Sequence, residues 1–335
     1  MEETDRAERQ SQDGDLLSLP FDLYQRYSLI PRLVALLWPR REGRPLKILD
    51  VGGHSSPLKN FLPSHAVVPT DVRLPGSFTA IPLTCDSYLL SSGTSLPLAD
   101  LSFDLVIAND TLEHIPETDR SSFLKELLRV SRRFVVLNGP VHHPDTAEAE
   151  QRLTRFLQRA LLTKSDFLQE HLDLGLPKRE DIETFLTEQE LPFIGIPNGN
   201  LMLWLTMNTA KNYVLAFPDA YRLSETLDQT YNLLLSPRDF GGLCYREAYV
   251  IAKSRDDAKT LQRVQAAFSP LLERPPVPGN IGALEGLVAA FEEHAEQTRR
   301  STKLLETTIV ELQNSLQRME TTLATKDAAI AERDA

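Results

Sequence analysis

The stretch that decides the fold reads LKILDVGGHSSP and occupies residues 46–57. A short apolar run ends there in Asp50, and two glycines, Gly52 and Gly53, follow before a polar loop. Short apolar runs of this kind are typical of strands buried on both faces of a parallel sheet. The two glycines let the backbone turn sharply and approach a ligand closely. The stretch therefore predicts a central strand followed by a tight loop that can line a binding site.

Six further short apolar runs follow, and helical periodicity separates most of them. The seven predicted strands cover residues 46–51, 67–71, 88–91, 103–109, 134–138, 192–196 and 247–253. Predicted helices at 119–130 and 178–188 lie between strands. This alternation predicts an α/β fold, a Rossmann-like doubly wound sheet. We expect the last strand, which follows a long helical segment, to run antiparallel at or near the sheet edge.

The composition excludes several classes of protein. The 335 residues carry a formal charge of −11, which argues against non-specific binding to nucleic acid, because such binding needs a basic surface. No apolar run approaches the roughly 18 residues that span a bilayer. Two cysteines, Cys85 and Cys244, are too few and too far apart for a disulfide framework or a zinc cluster. Together with an N-terminus that has no apolar signal region, these features predict a cytoplasmic protein.

We predict four segments along the chain. Residues 1–15 form a disordered acidic tail, 16–255 the α/β domain, 256–280 a helix and a proline-rich linker, and 281–335 one long helix. Apolar residues recur in that helix at alternating spacings of three and four over about seven heptads, beginning at Ile281 and Leu284. The pattern predicts a coiled coil through which the chain self-associates. An amphipathic helix folded back on the domain is the alternative.

Polar residues follow the first two strands, where a doubly wound sheet binds its ligand. Asp71 lies at the end of the second strand, 21 residues after Asp50. A carboxylate there can accept both hydroxyls of a ribose. The loop after the first strand lacks the G-x-G-x-x-G pattern, since His54 and Ser56 occupy the later positions. That absence argues against a site that cradles the pyrophosphate of a dinucleotide.

An ordered set of motifs follows. Its members are SSGTSLPLAD at 91–100, SFDLV at 102–106, DTLEHI at 110–115 and ELLRV at 126–130. In this order, after a glycine loop and a strand-end acid, they resemble the class I S-adenosylmethionine-dependent methyltransferases that modify small molecules, sugars and lipids. The resemblance spans roughly residues 24–253 and implies a seven-stranded sheet whose seventh strand is antiparallel.

The resemblance also implies a cofactor, S-adenosylmethionine, and roles for individual residues. Asp50, Gly52 and Gly53 would line the methionine end of the cofactor, and Asp71 would hold the ribose. The remaining implied contacts are Ser92 at the adenine, and Asn109 and Asp110 facing the methionine moiety and the acceptor. The family usually has glycines where this sequence has His54 and Ser56, and an aspartate where it has Ser92. These departures predict weaker cofactor binding.

Histidines supply the candidate catalytic groups. His114 follows the fourth strand and the pair His142 and His143 follows the fifth, so we expect all three to open on one crevice. Imidazole titrates near neutral pH and suits a general base that removes a proton from an acceptor hydroxyl. Glu113 would orient or polarise the ring of His114. The alternative for His114 is a structural role that fixes the turn into the next helix.

The remaining histidines and acids receive simpler interpretations. His65 and His294 lie outside the motifs and are expected at the surface. Acids and histidines after the fourth and fifth strands show no diagnostic metal-ligand spacing, so no metal is predicted. The set considered comprises Asp110, Glu113, His114 and His142. Residues 141–177 look like an insertion that can cap the acceptor pocket.

The sequence thus predicts methyl transfer from S-adenosylmethionine to a small-molecule or glycan acceptor. A methyltransferase domain joined to a long coil resembles bacterial proteins that modify cell-surface polysaccharide, which suggests a role in polysaccharide biosynthesis. Two alternatives stay open. One is a catalytically degenerate scaffold that is held together by its coil, and the other is a nicotinamide-dependent enzyme.

Overall fold

A mixed seven-stranded sheet organises the chain. The computed structural model describes residues 16–39, 44–54, 56–74, 87–217, 221–274 and 281–333. The strands are β1 (Lys47–Val51), β2 (Ala66–Asp71), β3 (Leu89–Leu90), β4 (Phe103–Asn109), β5 (Ser131–Pro140), β6 (Phe193–Asn200) and β7 (Cys244–Ala252). Their order across the sheet is β3-β2-β1-β4-β5-β7-β6. β1 to β5 run parallel, and β7 is antiparallel to both of its neighbours. The predicted Rossmann-like α/β fold is therefore confirmed, including its antiparallel seventh strand.

The predicted and observed strands agree best in the middle of the sheet. β4 covers the predicted residues 103–109. β5, β6 and β7 are longer than predicted, because β7 pairs with both neighbours as far as Pro140 and Asn200. This places β7 one position in from the edge, with β6 outside it. The third predicted strand shrinks to two residues.

Helices cover both faces of the sheet. They are α1 (Phe21–Tyr27), α2 (Leu29–Leu37), α3 (Glu117–Val130), α4 (Pro144–Ala160), α5 (Asp166–Leu174), α6 (Arg179–Glu188), α7 (Leu201–Leu215), α8 (Tyr221–Thr230), α9 (Ala258–Leu272) and α10 (Glu285–Arg333). One apolar core includes residues of α1, α2 and α9, and the other includes residues of α3 and α6. Alternate side chains of β4 belong to the two cores, with Leu105 and Ile107 in the first and Val106 and Ala108 in the second. An apolar strand therefore buries both of its faces.

The expected insertion after β5 consists of α4 and α5. Its buried side chains Leu153 and Phe156 pack in a third apolar cluster with Trp204 of α7. Trp204 in turn stacks on Tyr245 of β7, with ring centroids 3.9 Å apart. The insertion is therefore attached to the sheet through α7 and β7.

The first turns of α10 pack against the domain. Phe291 stacks on Tyr213 of α7 with centroids 4.2 Å apart, and Ala295 is buried in the third apolar cluster. Arg299 donates to the Ala160 carbonyl at the end of α4. The apolar positions of the heptad repeat form the seam of the predicted coiled coil, and Phe291 and Ala295 are two of them. The prediction that the coiled coil begins at Ile281 is therefore corrected for this part of the helix. The alternative, a helix folded back on the domain, describes this part of α10.

Farther along α10 the apolar side chains of the seam have no such packing. Between residues 304 and 319 they are more than half exposed. The seam positions concerned are Leu305, Ile309, Leu312, Leu316 and Met319. The coiled coil stays a prediction for this part of the helix.

One expectation about a histidine is wrong, and several other expectations concern residues that the structure does not describe. His65, expected at the surface, is buried, and its Nδ1 accepts a hydrogen bond from the Leu46 amide at 3.3 Å. The predicted tail, Cys85 and linker residues 275–280 lie outside the described residues. Among the helices that the structure describes, none combines the length and the apolar character needed to cross a membrane.

The glycine loop after β1 gives a first testable prediction. Gly52 has a φ of +82°, and a Cβ there would lie 2.2 Å from Thr111 Oγ1. We predict that Gly52→Ala lowers the free energy of unfolding by more than about 2 kcal/mol, because backbone strain of about 1–2 kcal/mol adds to a steric clash.

Gly175→Ala is the matched control, because Gly175 has a φ of +71° but nothing lies within 4 Å of the position that a Cβ would take there. Urea unfolding followed by circular dichroism measures both variants. Equal losses of stability would contradict the predicted clash with Thr111.

Candidate active site

The carboxyl edge of the sheet brings together residues from the predicted motifs. Gly52 follows β1, Asp71 ends β2, Asn109 ends β4 and Asp110 follows it. The start of β7 lies at the same edge, because Arg246 pairs with Pro140 at the end of β5. Ligands of doubly wound sheets bind at this edge, so it is the candidate site.

Asp50 is a fully buried carboxyl beneath the loop. Its Oδ2 accepts hydrogen bonds from Tyr27 Oη at 3.2 Å and from Ser56 Oγ, whereas Oδ1 has no partner among the described residues. Burial raises the pKa of Asp50 to about 7, against the opposing effect of the two hydroxyl donors. Ser56 therefore holds the carboxyl group of Asp50 through a hydrogen bond.

Asp71 and Ser92 lie near one another at the ends of β2 and β3. The Ser91 amide donates to the Asp71 carbonyl at 2.9 Å. Asp71 is half-buried and its Oδ1 accepts the Arg73 amide at 2.9 Å. Ser92 is exposed, and its hydroxyl lies 2.8 Å from that of Thr94. Both side chains are thus accessible where the resemblance implies ribose and adenine contacts.

Two arginines form ion pairs with the carboxylate of Asp110. Arg246 of β7 donates to its two oxygens at 2.7 and 2.6 Å, and Arg26 Nε of α1 lies 3.5 Å from one of them. Burial opposes ionisation, but the two guanidinium groups outweigh it and lower the pKa of Asp110. Asp110 is therefore an ionised group within a buried network of charges. The sequence predicted that Asp110 contacts the cofactor, but it did not predict this network.

Asn109 lies beside this pair and is buried. Neither polar atom of its side-chain amide has a hydrogen-bond partner among the described residues. Most buried polar groups in proteins are hydrogen-bonded. The amide of Asn109 is therefore available to a ligand that enters the crevice.

His114 lies in a short turn after β4 and faces the insertion. Its Nδ1 is 2.7 Å from a carboxylate oxygen of Glu170 in α5, and its ring centroid is 4.9 Å from that of His171. Burial and His171 lower the pKa of His114 and outweigh the effect of Glu170. The imidazole of His114 is therefore less readily protonated than an ordinary histidine side chain.

Glu113 and His171 complete this cluster. Glu113 is buried, its carboxylate oxygens have no hydrogen-bond partner among the described residues, and burial together with Asp110 raises its pKa well above the ordinary value. His171 is also buried, and its Nδ1 lies 2.8 Å from Glu150 Oε1. Tyr245 Oη donates to the same oxygen at 2.6 Å. Glu113 is thus close to His114, as expected, but it does not hold the ring.

The other two candidate bases have different surroundings. His143 caps the N-terminus of α4, where its Nδ1 accepts the Asp145 amide at 3.2 Å. His142 has an exposed side chain. The cluster of His114 with Glu113 and His171 includes neither of them.

Sequence reasoning missed the partners that complete the site. Gln25, Arg26 and Tyr27 come from α1, Arg246 comes from β7, and Glu150 with His171 comes from the insertion. The insertion is predicted to cap the pocket, and its EHLDLGLP stretch at 170–177 contains His171. No comparable signal marks Gln25 or Arg246.

Comparison with known proteins finds a match for one segment of the chain. The fold is a Rossmann-like α/β fold. Residues 76–136 match the family model described as "Methyltransferase domain". This segment contains the whole of β4, the turn with Glu113 and His114, and α3. The part of the chain that forms the centre of the site thus matches a methyltransferase domain.

A curated relative is similar to part of the chain. An uncharacterized methyltransferase of Mycobacteroides abscessus is 33% identical over 111 residues, which are 30% of this chain and 42% of that protein. The match therefore covers less than half of the relative.

Two solved structures are similar to this chain at low identity. The YcgJ protein of Bacillus subtilis is 12% identical with a TM-score of 0.39, over 66% of this chain and 96% of that chain. The magnesium protoporphyrin IX methyltransferase ChlM of Synechocystis PCC 6803, solved with bound S-adenosylmethionine, is 12% identical with a TM-score of 0.39, over 69% of this chain and 84% of that chain.

The burial of Asp50 predicts a pH-dependent stability. Because its pKa is raised to about 7 in the fold, the folded chain binds this proton more tightly than the unfolded chain does. Its contribution to stability is therefore present at low pH and is lost as the pH rises toward 7. Relative to Asp50→Asn, the wild type should lose up to about 1.4 kcal/mol per pH unit between about pH 5 and pH 7.

Urea unfolding at several pH values measures this difference, with Asp173→Asn, at an exposed position, as the control. A difference between wild type and Asp50→Asn that stays constant with pH would contradict the prediction.

Proposed function

We propose that this chain transfers a methyl group from S-adenosylmethionine to a small-molecule or glycan acceptor. One observation carries the proposal. The segment that matches the methyltransferase domain contains β4 and the turn after it, and these place Asn109 and His114 at the carboxyl-edge crevice. The glycine loop of β1 and Asp71 of β2 lie at the same edge.

The residues at this edge fit the cofactor. Asp71 offers an accessible carboxylate to the two ribose hydroxyls, and Ser92 lies beside it toward the adenine. Asp50 Oδ1 and the amide of Asn109 are buried polar groups with no partner among the described residues, which suits contacts to the polar methionine moiety. When bound, the cofactor supplies an electrophilic methyl group on a sulfonium.

The acceptor side of the crevice is formed by the insertion. Phe167 of α5 lies with its ring centroid 5.6 Å from that of His114 and supplies an apolar wall. Methyl transfer requires the acceptor atom to be held in line with the methyl group and, for a hydroxyl, to lose a proton. We assign proton removal to the cluster of Glu113, His114 and His171. His142 and His143 stay weaker candidates because they lie outside this cluster.

A variant of Asp71 tests the cofactor site. Asp71→Ala removes one or two charge-assisted hydrogen bonds, typically worth about 1.5–3 kcal/mol, so the Kd for S-adenosylmethionine should rise about tenfold or more. Asp256→Ala is the control, because Asp256 is exposed beyond the far end of β7 and carries the same charge. Isothermal titration calorimetry with S-adenosylmethionine and S-adenosylhomocysteine gives the affinities.

The same titration separates the proposal from its alternatives. No binding of either ligand by the wild type, with binding of NAD or NADP, would favour the nicotinamide enzyme. Cofactor binding without methyl transfer to any nucleotide sugar or glycan would favour the noncatalytic scaffold. An unchanged Kd in Asp71→Ala would remove this residue from the site.

We also propose that the exposed part of α10 joins two or more copies of the chain. Its seam repeats every three and four residues, and the five seam side chains from Leu305 to Met319 are between 53% and 64% exposed. A coiled coil between copies would bury this stripe. Localisation to the cytoplasm and a role in polysaccharide biosynthesis belong to the same proposal.

Paired variants of α10 test self-association. Leu305→Glu with Leu312→Glu places charges in the seam and should convert the oligomer to a monomer. Leu304→Glu with Val310→Glu is the control, because these residues are 69% and 54% exposed but lie outside the seam. Light scattering gives the mass of each. Equal effects of the two pairs, or a monomeric wild type, would contradict the coiled coil.

A further inference from the structure

Three potential ligand groups converge where the insertion meets the turn after β4. One ligand atom from each of Glu113, His114 and His171 lies within 4.8 Å of the other two. A first-row metal ion binds such atoms at about 2.0–2.2 Å, which brings them to roughly 3–3.5 Å from one another. Coordination of one ion therefore requires the three ligand atoms to approach one another by up to roughly 1–2 Å.

Two of these groups, Glu113 and His171, are buried, and each has polar atoms without a hydrogen-bond partner among the described residues. Glu113 is 1% exposed, and both of its carboxylate oxygens lack a hydrogen-bond partner among the described residues. His171 is 8% exposed, and its Nε2 likewise lacks a partner there. Buried polar atoms without partners are uncommon and costly. A cation between them would satisfy both residues at once.

A carboxylate behind His171 completes the arrangement, and a second carboxylate lies near His114. Glu150 forms a hydrogen bond of 2.8 Å with Nδ1 of His171. Glu170 lies 2.7 Å from Nδ1 of His114 as an ion-pair contact, but this nitrogen has no hydrogen-bond partner among the described residues. Metal-binding histidines usually donate the second ring nitrogen to a carboxylate, which fixes the tautomer and aims Nε2 at the metal. Glu150 is itself held by Tyr245, whereas Glu170 also lies 3.7 Å from the Arg73 guanidinium.

We propose that Glu113, His114 and His171 bind one divalent transition-metal ion of the zinc class. Two imidazoles and one carboxylate are a ligand set that suits Zn²⁺ or Fe²⁺, whereas Mg²⁺ prefers oxygen ligands throughout. Three protein ligands leave at least one coordination position open. This cluster differs from the set considered in the sequence, because His171 replaces Asp110 and His142.

The open position gives the ion a role in the reaction. This role rests on the proposed function, although ion binding itself does not. An acceptor hydroxyl whose oxygen binds the ion loses its proton more readily, because the positive charge stabilises the alkoxide. The O–H bond breaks, the oxygen keeps the electron pair and the proton passes to water. His114 then acts as a ligand rather than as the base.

Zinc titration of the 335-residue chain tests the site. The protein is treated with EDTA, dialysed and titrated with ZnCl₂ in a calorimeter, and the same samples are followed in the visible absorption spectrum with CoCl₂. We expect one ion per chain and a Co²⁺ spectrum typical of nitrogen ligands. His171→Asn and Glu113→Gln should each raise the Kd for Zn²⁺ about 100-fold or more.

His294→Asn is the matched control, because it removes an exposed histidine on α10. Circular dichroism verifies folding, and Glu113→Gln, which keeps the side-chain shape, serves if His171→Asn does not fold. No Zn²⁺ binding by the wild type would overturn the proposal. Equal affinities in Glu113→Gln and the wild type, or equally tight Mg²⁺ binding, would also overturn it.

Cofactor titration on the same samples keeps the two proposals separate. Binding of S-adenosylmethionine without Zn²⁺ binding would overturn the metal site and leave the methyltransferase proposal intact. Zn²⁺ binding that depends on Glu113 and His171, without cofactor binding, would support the metal site and remove its role in methyl transfer.

Discussion

A buried ion pair between Arg246 and Asp110 holds the carboxyl edge of the sheet together. The guanidinium of Arg246, 3% exposed, donates to both oxygens of Asp110 and also to Gln25 of α1. Removing one partner of such a pair typically costs about 3–5 kcal/mol, because the other charge is left buried and unpaired. The network therefore fixes α1, the end of β4 and the start of β7 relative to one another.

The conformation of Asp110 depends on this network. Its φ is +46°, in the left-handed region that residues other than glycine rarely adopt. The bidentate contact with Arg246 compensates for that strain. The turn that Asp110 starts carries Glu113 and His114 toward the insertion, so the ion pair also determines where these two groups lie. A charge pair on one side of the crevice thereby positions the histidine cluster on the other.

The sequence predicts those parts of the site that follow from strand order. Asp50, Asp71 and Asn109 lie at one edge, as expected, because each is the last or second-last residue of a strand in the parallel part of the sheet. Arg246 and Gln25 could not be predicted, since they lie 221 residues apart and meet only through folding. A single histidine in the sequence likewise does not indicate whether its side chain is buried. His65 is buried and its ring accepts the Leu46 amide, and nothing near it in the sequence indicates that contact.

The long helix shows a second limit of sequence patterns. An apolar residue at every third and fourth position predicts a stripe, but not the surface that the stripe contacts. In α10 the same stripe packs against α4 and α7 through Val288, Phe291 and Ala295, and is then exposed beyond residue 304. The change of surroundings has no counterpart in the spacing.

The packed start of α10 sets the direction in which the exposed part, an arm of the helix, leaves the domain. Phe291 on Tyr213 and the contact of Arg299 with α4 hold the helix at a set angle to the domain. From Arg299 to Met319 the helix extends about 30 Å at about 1.5 Å per residue. A partner molecule bound along that arm lies at a distance and in a direction from the crevice that the helix determines. The spacing between crevices in any assembly built on α10 is then a property of the helix, and adding or removing one turn would rotate and shift one crevice relative to the next.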